Sequence, residues 1–368
     1  VLALAPAAAV GFGVTRIAEQ PDPVTALAGA GSASPMPARA LYPDATASGP
    51  ALATSSPSLS RRTTTAKATR ARTTTTAAAR KAVGLTAPAQ QLSDLRYVTG
   101  SDSPAQTLDL YLPKRTGKPV PLVIDIHGGA FVEGGKSEDR GRIDALVTHG
   151  YAVASLNYRL SDEAPFPAGV KDVKAAVRWL RATSARYGID PTAFAAWGDS
   201  AGGYFATMLG TTSRQRTGFD DPALGNAGVS SAVQAVIAFY APIDFATMDA
   251  QAADPGGCPQ GPQVHDEAGS PESRWLGAAL PSVPAKVKAA SPLTYLKAAP
   301  TPPPFFLAHG RQDCNVPHGQ SLQLVKALKA KKVPAALTLL DDAGHGGGAF
   351  DQLQTPAIAF LDKTFRRS

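Results

Sequence analysis

Hydrophobic and polar positions divide the 368-residue chain into two unlike parts. From about residue 92 onward, apolar runs of strand length alternate with stretches of helical period. "DLRYVTG" and "QTLDLYLP" alternate in the manner of strands and are joined by a turn rich in Ser, Asp and Pro. "PLVIDIHGG" is continuously apolar until it stops at glycines, the pattern of a strand covered on both faces. A polar helix over 138–148, a buried strand "YAVASLNYRL" and a long helix over 168–187 follow. In that helix Val170, Val173, Val177 and Leu180 share one face, with Lys171, Lys174, Arg178 and Arg181 largely opposite. Then come "AFAAWG" as a strand, a helix from Ser200 to Leu209, strands "AVQAVIAFYAP" and "PPFFLAHG", a helix over 317–331, strand "AALTLLDD" and a closing helix over 350–366. This alternation predicts an α/β fold with a mostly parallel sheet and helices on both faces. It lapses over about 245–296, where Pro, Gly and polar residues dominate, so a short cap is expected over a site there.

Residues 1–90 differ in texture. Residues 1–14 are uncharged and apolar but shorter than a membrane-spanning helix, and read as a signal or anchor remnant. The Ala/Thr/Ser/Pro-rich stretch after them holds too few large apolar residues to offset the entropy of ordering, and reads as a disordered linker. Export or cell-envelope association is expected from this tail, with a cytoplasmic chain the alternative. The net charge of +7 lies mostly here: nine Lys/Arg face three acidic residues in 1–90, against 27 and 26 in the remainder. The unit over 91–368 is therefore not read as binding nucleic acid.

Four pieces that could carry chemistry fall at strand carboxyl ends, where functional groups gather in open α/β sheets. In "WGDSAGGYF", Gly198-Asp199-Ser200-Ala201-Gly202 matches the G-x-S-x-G elbow between strand and helix. An ordinary glycine-cornered turn would read similarly. In "HGGAF", consecutive glycines let main-chain N–H groups approach a ligand, so Gly128, Gly129 and Ala201 are oxyanion-hole candidates, with His127 organising the loop. Asp313, after "PPFFLA", is placed to orient an imidazole, although a helix-capping role is the plainer reading; His309 is expected to be structural. His345, after the last strand, is the candidate base; Asp341 and Asp342 lie too near it in sequence to serve as its acid. The order Ser200, Asp313, His345 is the one this architecture uses. His149, His265 and His318 are read as ordinary histidines. Phe131, Tyr204 and Trp275 are pocket-wall candidates, with core packing the duller reading. Cys258 and Cys314 either pair, tying the cap to the Asp313 loop, or remain two separate thiols. No metal-ligand pattern is visible, and no cofactor is expected.

With "HGGAF", "GDSAGG", "SPESRWLG", "ASPLTYL", "HGRQDCNVP" and "NYRLSDEAPFPAGVKDVKAAVRWLR", the chain resembles esterases and lipases of the α/β-hydrolase fold. Within them it is similar to hormone-sensitive-lipase-like enzymes and bacterial acetylxylan and feruloyl esterases. It departs from the frequent HGGG pattern by having Ala130 in the third position. The resemblance implies a serine esterase working through a Ser-His-Asp triad and an acyl-enzyme. "SPESRWLG" with "DCNVP" tilts this toward short acyl or aryl esters on polysaccharides. The alternatives are an amidase, formamidase or small peptidase of the same fold, and an envelope-tethered binding module without catalysis.

Overall fold

The computed structural model describes residues 88–365, apart from residues 137, 254–257, 259 and 260. The expected signal remnant and linker lie outside the described residues, save for residues 88–90 at the linker's end. Eight strands form one sheet: β1 (Gln90–Arg96), β2 (Thr107–Leu112), β3 (Val120–Ile126), β4 (Ala152–Leu156), β5 (Ile189–Asp199), β6 (Ala235–Phe239), β7 (Phe305–Gly310) and β8 (Ala335–Leu340). Their spatial order is β1-β2-β4-β3-β5-β6-β7-β8. The pairs β1·β2 and β2·β4 are antiparallel and all later pairs are parallel. This is the architecture of the α/β-hydrolase fold.

Helices cover both faces. They are α1 (Arg140–Thr148), α2 (Ala168–Tyr187), α3 (Ala201–Thr211), five-to-seven-residue helices α4 (Met248–Ala252), α5 (Pro271–Leu276), α6 (Pro284–Ala290) and α7 (Pro292–Leu296), then α8 (Gly319–Ala330) and α9 (Gln354–Thr364). Strand β3 shows why the continuous apolar run works. Leu122, Ile124 and Ile126 enter the core on one face of the sheet, and Val123 enters the core on the other. Each side chain leaves water on its own side, at about 25 cal/mol per Å² of apolar area buried.

Helix α2 has the expected bounds and stops at Gly188, whose φ of +71° lets its N–H and the last carbonyls close a left-handed cap. Its charged face is not left to solvent, however. Lys174 and Arg178 are 1% exposed. The segment after α3 folds over them: Lys174 Nζ lies 3.0 Å from an Asp220 carboxylate oxygen, and Arg178 donates to the Gly225 and Asp221 carbonyls. The hydrophobic period alone could not report this, because carbonyl and carboxylate partners were supplied from about 45 residues away.

The segment over 245–296 also differs from a loose polar insertion. Trp275, Leu276, Val287, Tyr295 and Leu296 are all buried in the main core. Four short helices, three starting at Pro271, Pro284 and Pro292, fold it back onto the sheet's carboxyl end. Among the described residues, no helix is long and apolar enough to cross a membrane.

Candidate active site

The turn from β5 into α3 answers what Ser200 is doing between glycines. Ser200 sits at φ 54° and ψ −122°, with its N–H bonded to the Phe239 carbonyl at 2.9 Å and its carbonyl receiving the Tyr204 N–H. A Cβ at Gly198 would lie 2.2 Å from the Gly202 oxygen, and one at Gly202 would lie 2.0 Å from the Ile126 oxygen. Both glycines are therefore dictated by main-chain contact, and the bend they allow throws the serine side chain clear of the sheet.

Two loops bring partners to it. Past β8, His345 places Nε2 2.9 Å from Ser200 Oγ. Its other ring nitrogen, Nδ1, lies 2.7 Å from Asp313 Oδ2, on the loop after β7. Asp313 is 2% exposed, and its Oδ1 accepts the N–H groups of Asn315 and Val316. Burial alone would raise its pKa; hydrogen bonds from His309 and His345 outweigh that and hold it well below the ordinary carboxylate range. His309 is fully buried, with Nε2 2.9 Å from the Val316 carbonyl and 3.3 Å from Asp313 Oδ2. Its Nδ1 meets the Ser321 hydroxyl, so His309 braces the Asp313 loop from behind. Asp341 is taken up by Arg311 at the surface instead.

The glycine loop after β3 lies against the elbow. Gly128 is packed so closely that a Cβ there would meet the Asp199 carbonyl at 3.1 Å and Ser200 Cβ at 3.4 Å. Gly129, Ala130 and Phe131 all have positive φ. Among the described residues, the N–H groups of Gly128, Gly129 and Ala201 donate to no main-chain carbonyl. His127 stacks on Tyr158 with ring centroids 4.3 Å apart, and its Nδ1 lies 2.8 Å from the Gly128 oxygen. Burial pulls its pKa down to about 4, so the ring is neutral at pH 7 and donates Nδ1–H to that oxygen.

Asp199, just before the serine, has a separate task. Its Oδ2 receives Arg142 Nη1 at 2.7 Å, and the same guanidinium bonds Asp125 and Asp139. Burial raises the pKa of Asp199, against the lowering by Arg142, and pushes that of Asp125 to about 6. One buried cation thus holds three carboxyl groups beneath the elbow.

A cavity of about 50 Å³ opens at Ser200 and His345. Phe131 lines it, but Tyr204 and Trp275 do not, and the expectation that they form its wall is corrected here. Both are wholly buried behind it. Trp275 stacks on Phe131 at 4.5 Å, and Tyr204 meets the same ring edge-on and spends its hydroxyl on the Ala290 carbonyl. They fix the position of Phe131 and touch nothing that enters. Gln263, Glu272 and Asn315 line the cavity without having been singled out from the sequence. Tyr240, packed against the His345 ring at 4.8 Å, was also missed, although its place just past β6 at a strand carboxyl end was a usable signal. Cys258 and Cys314 are joined in a disulfide that links the cap to the Asp313 loop. Among the described residues, no group of three or more His, Cys, Asp or Glu is arranged to hold a metal ion.

The family model described as BD-FAE matches residues 108–328, which take in the elbow, the glycine loop and Asp313. The chain belongs to the BD-FAE family. Esterase LipC of Mycobacterium tuberculosis (strain ATCC 25618 / H37Rv) is 29% identical over 282 residues, covering 74% of this chain and 65% of LipC. Esterase LipQ of the same strain is 29% identical over 279 residues, covering 73% of this chain and 59% of LipQ. The chain thus spans just under two thirds of LipC and about three fifths of LipQ. Among solved structures, a truncated form of a carbohydrate esterase from gut microbiota superposes with a TM-score of 0.67 at 28% identity, covering 76% of this chain and 99% of that one. The relatives this BD-FAE chain resembles are thus named as esterases, and its fold is that of the α/β-hydrolases.

Proposed function

We propose that this BD-FAE chain hydrolyses carboxylic esters of short acyl or aryl groups, such as those decorating polysaccharides, with Ser200 as nucleophile. The observation that carries the reading is the unbroken line from Ser200 Oγ through His345 to Asp313, at 2.9 and 2.7 Å. His345 Nε2 takes the serine proton as Oγ attacks the ester carbonyl; Asp313 holds Nδ1–H and stabilises the imidazolium. The N–H groups of Gly128, Gly129 and Ala201 receive the negative charge on the former carbonyl oxygen, and each such donor is worth about 3 kcal/mol. His345 returns the proton to the departing alcohol. It then takes one from water, whose oxygen attacks the acyl-enzyme, and passes that proton to Ser200 Oγ as the acid is released. The cavity beside the serine is small, about 50 Å³, which favours short acyl groups over fatty chains. The name of the gut carbohydrate esterase supports a polysaccharide ester.

The test combines stoichiometric organophosphate labelling, absent in Ser200→Ala, with an acyl-length series of p-nitrophenyl esters, acetylated xylan, methyl ferulate and a matched anilide. The expected result is labelling with fastest turnover of short-chain esters. Faster turnover of the anilide would make the chain an amidase, a preference for ten or more carbons would remove the polysaccharide reading, and no labelling would favour a binding module. We further propose export or envelope association, which accords with the disulfide. Fractionation of cells producing the full chain checks it, and recovery in the cytosol overturns it.

A further inference from the structure

The catalytic cavity is chemically two-sided. Phe131, Pro242 and Val316 are apolar residues of its lining, while Gln263, Glu272 and Asn315 are lining residues that carry amide and carboxyl groups. A short acyl group uses only the first side. The second calls for a partner able to make hydrogen bonds.

Glu272 is the least expected of the three, a carboxyl side chain 4% exposed at the edge of an esterase cavity. Its Oε2 meets Nδ1 of the fully buried His265 at 3.0 Å. Its other oxygen, Oε1, makes no hydrogen bond among the described residues, and the residue lines the cavity. His265 is held rigidly: its N–H is bonded to Asp249, and its carbonyl receives the Ser270 hydroxyl. The pair therefore presents one carboxyl oxygen in a fixed direction.

Gln263 and Asn315 are positioned by the other half of the cap. The Cys258–Cys314 bridge and the bond from Gln263 N–H to the Cys314 carbonyl at 2.9 Å tie the cap to the Asp313 loop. Neither amide side chain has a hydrogen-bond partner among the described residues. Their donors and acceptors are left to water or a ligand at the cavity that holds Ser200.

We infer that Glu272, Gln263 and Asn315 form a recognition edge for free hydroxyl groups on the substrate, so that the chain selects esters of polyhydroxylated alcohols such as partly acylated sugars. The inference rests on the esterase reading and adds the residues that choose the alcohol. A hydroxyl donates to Glu272 Oε1 and exchanges hydrogen bonds with the two amides. An ester lacking hydroxyls would desolvate these groups without replacing their water, which is how a polar site rejects an analogue missing its polar group.

The test compares kcat/KM for a monoacetylated methyl xyloside with that for the same ester whose remaining hydroxyls are O-methylated, with p-nitrophenyl acetate as a hydroxyl-free reference. The ratio of the two xylosides divides out the fraction of folded enzyme, so an unstable variant still reports. The wild-type chain is expected to favour the free-hydroxyl ester by about tenfold or more. Glu272→Gln, and separately Gln263→Ala with Asn315→Ala, should bring that ratio toward one. A wild-type ratio near one, an unchanged ratio in both variants, or p-nitrophenyl acetate as the only ester cleaved overturns the inference while leaving the esterase standing. A chain inert toward all three esters overturns the esterase reading itself.

Discussion

Arg142 Nη1 lies 2.7 Å from Oδ2 of Asp199, the residue joined directly to the proposed nucleophile. The same side chain is 8% exposed and also bonds buried Asp125 and the more exposed Asp139, so the elbow rests on a charge cluster whose cation is buried. Removing the cation leaves buried carboxyl groups uncompensated. Arg142→Met should therefore cost about 3–5 kcal/mol of unfolding free energy, read from urea titration, and lower activity through the displaced elbow. Arg142→Lys should recover little of it, because one ammonium cannot replace a guanidinium bonded along three directions.

Asp125 and Asp313 make opposite contributions to stability as pH changes. Burial raises Asp125 from 3.8 to about 6, so between about pH 4 and 6 the folded chain keeps a proton that the unfolded chain has lost. Its contribution is full below the unfolded value and falls as pH rises through 6. Asp313 is shifted downward; its contribution is full above the unfolded value and is lost as pH falls. Unfolding midpoints of wild type, Asp125→Asn and Asp313→Asn across pH 3 to 7 test this. The difference between wild type and Asp125→Asn should shrink as pH rises, and that between wild type and Asp313→Asn should grow.

Asp313→Asn should also lower kcat by about 10⁴, since an amide at this position favours the wrong imidazole tautomer while preserving shape. Steady-state turnover of p-nitrophenyl acetate measures it. A loss under tenfold would point to another acid for His345.

Gly128 tests the opposing main-chain amides. An added methyl there needs the Asp199 carbonyl to yield by a few tenths of an ångström, a small disturbance for the fold and a large one for an oxyanion. Gly128→Ala should melt near wild type yet lose up to about a hundredfold in kcat. Gly202→Ala, 2.0 Å from the Ile126 oxygen, should instead fail to fold, as circular dichroism would show.

Opening the disulfide should lower stability. Its ends are 56 residues apart, and releasing that loop should cost about 4 kcal/mol by loosening restraint on the unfolded chain. Melting with and without reductant reads the stability term. Mass measurement after thiol alkylation checks that Cys258 and Cys314 are joined.

The residues nearest the serine were legible because their spacing is set by main-chain geometry over a few positions. Gly198 and Gly202 flank Ser200 wherever strand and helix meet this tightly, and the order of Asp313 and His345 follows from the order of strands β7 and β8. Strand and helix positions were readable for a similar reason, since period reports local burial. Contacts made across long separations left no such mark. Arg142 looked like one charge on a polar helix; only the arrival of Asp125 and Asp199 from neighbouring strands makes it a buried keystone. Trp275 and Tyr204 looked like pocket walls because aromatic type does not say which side of a cavity a ring occupies. Lys174 and Arg178 looked solvated until the loop over 212–232 closed on them.

Ser200 is held at φ 54°, ψ −122°, a conformation comfortable for glycine and unwelcome to any residue with a β-carbon. The molecule would be easier to fold with nothing reactive at that point. Its neighbours must keep the hydroxyl there against its own backbone preference, and mutations that soften the elbow's surroundings would let it relax into a restful and inert turn.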